Sequence, residues 1–248
     1  MADLDWLIAR PVAHRGLHDD QKGVIENTPS AFAAAIAGRY GIECDLQITA
    51  DGEAMVHHDD ALGRLTEGSE RLDAMTAADL KWVAFKASTD RMITLGELCD
   101  LVDGQAALVI ELKSRYDGDR RLAARAAKVL AGYRGPAAVM SFDLAQVAAL
   151  REIAPALPRG MVAERRYQHP GWARLPAASK RAMAYFAHAL RTRPQFIAYS
   201  VKDLPAAIPL AARNLFGLPL LTWTVRSPQE REKAARWADQ MIFEGFRP

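Results

Sequence analysis

Between Ile42 and Thr49 hydrophobic and polar positions alternate. Ile42, Cys44, Leu46 and Ile48 fall on one side, and Glu43, Asp45 and Gln47 on the other. That is the two-residue period of a strand. Asp51-Gly52 then signals a tight turn, and a short second strand leads to His57-His58-Asp59. On this stretch alone a solvated acidic face is the simpler reading. The alternative is an oxygen site for a hard divalent cation, because two carboxylates two residues apart share a strand face.

The rest of the chain repeats a strand-then-helix rhythm. A lead-in helix is predicted over 2–8 and a brief strand over 11–13, ending in His14-Arg15-Gly16. Thr28 followed by Pro29 is an N-cap with proline at the first helical position, opening a helix that stops at Gly38. Residues 60–91 break the rhythm and read as a small insertion after strand two, with one short helix over 76–81. Thr94 to Glu97 forms a capping box for a helix through Val102. Strands are then predicted at 107–112, 137–141, 159–163, 196–200, 219–223 and 240–243. The helices between them span 120–130, 143–153, 177–190, 205–215 and 227–238, with Asp143 and Ser227 as caps. Eight strands alternating with helices over 248 residues predict a (β/α)8 TIM barrel forming one domain, with its eighth helix missing or trivial. A doubly wound open sheet is the alternative, but no glycine-rich dinucleotide fingerprint follows the first strand.

Composition changes this picture little. Half the residues are hydrophobic and a quarter charged, enough to build a large core. A net charge of +2 gives no electrostatic case for nucleic acid. Two cysteines, Cys44 and Cys99, make no disulfide framework. The first residues lack the basic region and apolar run of a signal peptide, and no apolar run reaches transmembrane length. A cytoplasmic enzyme is the expectation, with homo-oligomerisation left open.

In a barrel the C-terminal ends of the strands converge on one mouth. There the sequence places His14 and Arg15 after strand one, Glu43 and Asp45 on strand two, and His58 just beyond. Glu111 and Lys113 end strand three, Ser141 and Phe142 strand four, and Trp223 strand seven. Singly, each has a structural explanation: a satisfied histidine, an exposed ion pair, a core tryptophan. Together they make one chemical sense. Glu43, Asp45 and Glu111 can hold Mg2+ or Ca2+, Arg15 and Lys113 can pair with phosphate oxygens, and His14 and His58 can move protons near neutral pH. Such a set suits attack on a phosphodiester.

The same residues resemble the glycerophosphodiester phosphodiesterase family. The matching blocks are His14-Arg15-Gly16, Glu26-Asn27-Thr28 with Ala31-Phe32, and Glu43-x-Asp45 with Thr49-x-Asp51-Gly52. They continue with His58-Asp59-x-x-Leu62-x-Arg64-x-Thr66, Leu95-x-Glu97-Leu98, Ile110-Glu111-x-Lys113, Ser141-Phe142-Asp143 and Trp223-Thr224-Val225. The resemblance implies a barrel that hydrolyses small-molecule glycerophosphodiesters to glycerol 3-phosphate and an alcohol. It implies Glu43, Asp45 and Glu111 as metal ligands, His14 and His58 as acid and base, and Arg15 and Lys113 near the phosphate, with Phe142 and Trp223 beside the substrate. His57 is then a spectator. Two departures stand out: Arg226 where the family often has Asn, and Phe243-Glu244-Gly245-Phe246 where it usually has Thr-Asp-x-Pro. Alternative functions are a lysophospholipase D-like or cyclic-phosphodiester hydrolase on the same scaffold, or a non-catalytic barrel that binds phosphodiester headgroups. The long basic and aromatic connection after strand five, carrying Arg165, Arg166, Tyr167, His169, Trp172 and Arg174, reads either as a flap over the mouth or as a subunit contact.

Overall fold

The computed structural model describes residues 4–168, 172–173, 175–187 and 189–248. Nine strands form one sheet: β1 Val12–Ala13, β2 Gly41–Ile48, β3 Ala54–Val56, β4 Leu108–Leu112, β5 Ala137–Ser141, β6 Arg159–Ala163, β7 Phe196–Ser200, β8 Leu220–Val225 and β9 Gln240–Phe243. Their order is β1-β9-β8-β7-β6-β5-β4-β2-β3, and β1 also pairs with β2. The sheet therefore closes into a barrel of eight parallel strands, with β3 as an antiparallel hairpin partner of β2. This is the (β/α)8 barrel the sequence predicted.

The alternation in β2 has the predicted consequence. Ile42, Cys44 and Leu46 enter the layer between strands and helices, packed with Phe32, Leu95, Leu98, Ile110 and Leu122. The intervening Glu43 and Asp45 belong to the other face of the strand, buried to 1% exposure each. A second cluster, of Val12, Val109, Ala138, Met140, Val162, Phe196, Ala198, Leu221 and Ile242, is drawn from alternate positions of the other strands. Leu7 packs against it from the lead-in helix, which spans Asp5–Ile8, and Leu4 from the residue just before that helix. Phe196 lies where only glycine fits beside it: a Cβ on Gly160 would meet the ring at 2.4 Å.

Helix starts follow their caps. Thr28, Thr76, Thr94, Asp143 and Ser227 each accept a backbone N–H from the first turn of the helix they open, and Thr94 with Glu97 forms the full capping box. Between β3 and the Leu95–Val102 helix the chain builds a small core of its own, from Leu62, Leu72, Ala77, Leu80, Phe85 and Met92 packed on Ile25 and Met55. The helix predicted over 177–190 is instead two, Ala177–Ala184 and Ala189–Thr192. Phe186 adopts a left-handed φ of 52° between them and turns its ring inward, 6.3 Å from Tyr199. Burying that ring outweighs continuing the helix. Beyond β9, residues 244–248 form no helix. Among the described residues, no helix is long and apolar enough to cross a membrane.

Candidate active site

Two neighbouring strands, β2 and β4, bring the acidic residues together. The parallel register sets Asp45 of β2 beside Glu111 of β4, and Glu43 lies two residues before Asp45. One oxygen from each of the three carboxylates falls within a group no wider than 4.8 Å, and all three residues are buried. Burial and repulsion from Asp45 and Glu111 push the Glu43 carboxyl well above the usual carboxylate range. Burial acts in the same direction on Asp45. There the neighbouring Lys113 and Arg15 outweigh it and hold the carboxyl well below that range. Lys113 Nζ lies 2.8 Å from Asp45 Oδ1 and 2.6 Å from Glu111 Oε1. Burial would lower Lys113, but Asp45 and Glu111 raise it further.

Arg15 is drawn into the same network. Its backbone N–H donates to Glu43 Oε2 at 2.9 Å, its Nη1 to Glu26 Oε1 at 2.8 Å, and its Nε lies 3.1 Å from Asp45 Oδ2. Asn27 Nδ2 donates to Asp45 Oδ2 at 2.9 Å, and Asp45 N–H donates back to Asn27 Oδ1. The turn that aims these groups has Arg15, Gly16 and Asn27 all at positive φ. At Gly16 a Cβ would strike Ala31 at 2.8 Å, which explains why this loop pairs a glycine with a small helical residue.

The two candidate histidines are held alike. His58 Nδ1 lies 2.7 Å from Asp59 Oδ1, and Arg64 Nε donates to Asp59 Oδ2 at 2.5 Å. Arg64 also pairs with Glu26. His14 Nδ1 is hydrogen-bonded to Glu244, and Arg226 Nε donates to Glu244 Oε1 at 2.6 Å. The other ring nitrogen, His14 Nε2, lies 3.9 Å from Glu43 Oε2. Burial lowers the His14 pKa against the opposing pull of Glu244. Burial would raise Glu244, but its interactions with His14 and His18 and then with the Arg226 guanidinium hold it well below the carboxylate range. His18 Nε2 lies 3.8 Å from the same carboxylate. The structure thus brings His14, Arg15, Glu43, Asp45, Glu111 and Lys113 together, with His58 close enough for its charge to act on Asp45. His57 is buried, and burial depresses its pKa to about 4.

Phe142 and Trp223 belong to an aromatic wall. Phe142 lies 5.4 Å from Trp223, 4.8 Å from Trp172 and 6.4 Å from Tyr167, ring centre to ring centre. Tyr116 adds an edge contact to Trp172 at 6.3 Å. A polar cavity of about 100 Å³ opens beside Lys113, lined by Gln47, Arg71, Ser114, Arg115 and Gln146 among others. Arg165 and Arg166 are exposed, whereas Tyr167 is buried against the wall. His169 and Arg174 lie outside the described residues.

Sequence reasoning gave no role to Glu244, Glu26, Asn27, Asp59, Arg64 or Tyr116. Asp59 and Arg64 were findable, being one and six residues from His58. Glu244 lies 230 residues from His14, and no spacing rule links them.

Buried carboxylates, two cationic side chains and two histidines backed by carboxylates, gathered beside the barrel strands, suit the hydrolysis of phosphoric diesters. Comparison with known proteins narrows the class. Residues 14–246 match the Glycerophosphoryl diester phosphodiesterase family, and the chain belongs to it. A glycerophosphodiester phosphodiesterase of Caldanaerobacter subterraneus subsp. tengcongensis is 29% identical over 233 residues, covering 90% of this chain and 88% of its own. Among solved structures, an Oleispira antarctica phosphodiesterase in complex with the product sn-glycerol-3-phosphate superposes with a TM-score of 0.77. It is 18% identical, covering 94% of this chain and 91% of that one. The glycerophosphodiester phosphodiesterase of Thermotoga maritima gives a TM-score of 0.70 at 22% identity, with 94% of each chain covered.

Proposed function

We propose that this enzyme hydrolyses glycerophosphodiesters to glycerol 3-phosphate and an alcohol, with a divalent cation at Glu43, Asp45 and Glu111. His14 and His58 exchange the protons. The observation that carries this reading is the pair of histidines, each backed at Nδ1 by a carboxylate, flanking one buried acidic cluster. Charge balance supports the cation. Three carboxylates face two cationic side chains, Arg15 and Lys113, leaving an excess of one negative charge. A dication reverses that excess to one positive charge, the complement of a phosphodiester monoanion. It also offsets the burial and the repulsion from Asp45 and Glu111 that push the Glu43 carboxyl up. All-oxygen donors suit Mg2+ or Ca2+. When bound, the ion would polarise the phosphoryl oxygens and neutralise charge developing on them.

The side chains supply the rest. Lys113 and Arg15 hold the carboxylates in register and present positive charge to the phosphate. One histidine takes the proton from the nucleophile, either water or the glycerol 2-hydroxyl through a cyclic phosphate. The other gives a proton to the leaving alcohol oxygen. The aromatic wall of Phe142, Trp223, Trp172 and Tyr167 covers one side of the mouth and excludes water. Localisation in the cytoplasm remains part of this proposal.

The test is product analysis on a panel of glycerophosphodiesters with Mg2+ or Ca2+. Release of glycerol 3-phosphate with the free alcohol is expected. Release of glycerol with a phosphorylated alcohol, or no turnover on any member of the panel, overturns the reading.

A further inference from the structure

We infer that Glu244 is a positioning residue, which fixes His14 in the tautomer that leaves Nε2 free to accept a proton, and that Arg226 locks the orientation of Glu244. The inference rests on the proposed role of His14 as a proton carrier.

The argument starts from what each atom can do. An ionised carboxylate only accepts hydrogen bonds. Glu244 accepts from the Arg226 guanidinium, which can only donate, and this charged partner on one side and the His14 ring on the other favour its carboxylate form, in line with a carboxyl held below the usual range. The His14 nitrogen bonded to it, Nδ1, must therefore donate. A neutral imidazole carries one N–H, so Nε2 is left with its lone pair. That atom is the one directed at the acidic cluster, 3.9 Å from Glu43 Oε2. The His14 ring is mostly enclosed, its side chain 13% exposed, so water cannot freely replace a lost partner.

Arg226 makes the arrangement one-directional. Its Nε donates to Glu244 Oε1 at 2.6 Å, while Oε2 faces His14. The two oxygens of the carboxylate thus serve different partners, Oε1 the Arg226 guanidinium and Oε2 the His14 ring, with His18 Nε2 at 3.8 Å from Oε2. Replacing Glu244 by Gln breaks this symmetry. Arg226 can only donate, so it retains the amide oxygen. The amide nitrogen then faces His14 Nδ1 and donates to it. His14 must shift its proton to Nε2, where it can no longer act as an acceptor. The same logic makes an Asp-to-Asn change so costly in serine protease triads.

A purely structural Glu244 would not give the pattern that follows. Glu244→Gln should lower kcat by about 10²–10⁴, the usual contribution of a positioned proton carrier, with KM changed by less than about threefold. Arg226→Ala alone should cost less. In Glu244→Gln/Arg226→Ala the amide is free to turn its oxygen to Nδ1, so the double variant should recover at least about tenfold in kcat over Glu244→Gln. Glu244→Asp keeps an acceptor and should fall between wild type and Glu244→Gln. A second measurement needs no variant. Nitrogen-15 NMR of labelled histidine in the wild-type protein should show neutral His14 as the Nδ1–H tautomer. An Nε2–H tautomer there, a Glu244→Gln kcat within about threefold of wild type, or a double variant no better than Glu244→Gln would each overturn the inference. His14→Ala separates the two levels. If it keeps full turnover, the proton-carrier reading of His14 falls. If it loses turnover while Glu244→Gln does not, only the role of Glu244 falls.

Discussion

The two histidines sit in matching settings built in opposite ways. Around His58 everything is local: Asp59 is the next residue and Arg64 follows five later, so a single loop supplies ring, carboxylate and guanidinium. Around His14 the same three parts come from both ends of the chain. The ring follows β1, while Arg226 and Glu244 follow β8 and β9. Closing the barrel is what assembles the second trio, because β9 pairs with β1. His14 is also the more enclosed of the two, with its side chain 13% exposed against 31% for His58. A loop-borne trio can adjust to loss of one member. One assembled by barrel closure, in a tighter space, has less room to do so.

The largest expected effects fall on the rings themselves. His14→Ala and His58→Ala should each lower kcat by about 10²–10⁴, whereas His57→Ala should leave it nearly unchanged. Steady-state kinetics on the three variants checks this, and a crippling His57→Ala would show that the wrong neighbour has been chosen.

Asymmetry between the trios should appear one step out. Asp59→Asn places the same amide problem before His58, since Arg64 keeps an oxygen of residue 59. The more open ring can be served by water, so its kcat should fall only about 10- to 100-fold, less than for Glu244→Gln. Equal losses in the two variants would erase the distinction between the loop-borne and the closure-dependent trio.

His57 offers a stability test of the loop beside His58. Its pKa drops from 6.5 to about 4 on folding. A depressed folded-state pKa means that stability is fully present above about pH 6.5 and is lost as pH falls toward 4. The shift corresponds to about 3 kcal/mol, since each unit is about 1.4 kcal/mol. Unfolding melts across that window should show the loss in wild type and a flatter profile in His57→Gln.

The smallest effect is expected at the exposed arginines beside the aromatic wall. Neutralising Arg165 and Arg166 should raise KM for anionic headgroups by a few-fold and flatten its salt dependence, with kcat nearly intact. Unchanged KM with a smaller oligomer would make the segment a subunit contact instead.

The contrast between the trios also marks what the sequence made legible. The barrel was readable because each strand alternates or runs apolar between clear caps, as at Thr28, Thr94, Asp143 and Ser227. The acidic cluster was readable because Glu43 and Asp45 share a strand face and Glu111-x-Lys113 repeats that pattern on β4. Asp59 and Arg64 stood beside His58 and needed only a geometric reason to be noticed. Glu244 looked like a mere departure from a familiar pattern, because its meaning depends on β9 closing against β1. Tyr116 was hidden in a loop, at a left-handed φ of 60° that no local residue pattern announces. The break at Phe186 was missed for a related reason, since helical propensity around it gives no sign of the ring's place against Tyr199.

The most direct test of the account is the metal dependence of glycerol 3-phosphate release after exhaustive chelation. Three buried carboxylates offer oxygens within 4.8 Å of one another, and burial and repulsion push the Glu43 carboxyl up, so a cation among them would favour its ionised form. Chelated enzyme should lose activity and regain it on addition of Mg2+ or Ca2+. Glu43→Gln, Asp45→Asn and Glu111→Gln should each need more metal to recover. Undiminished activity in the chelated enzyme would contradict the account at its centre.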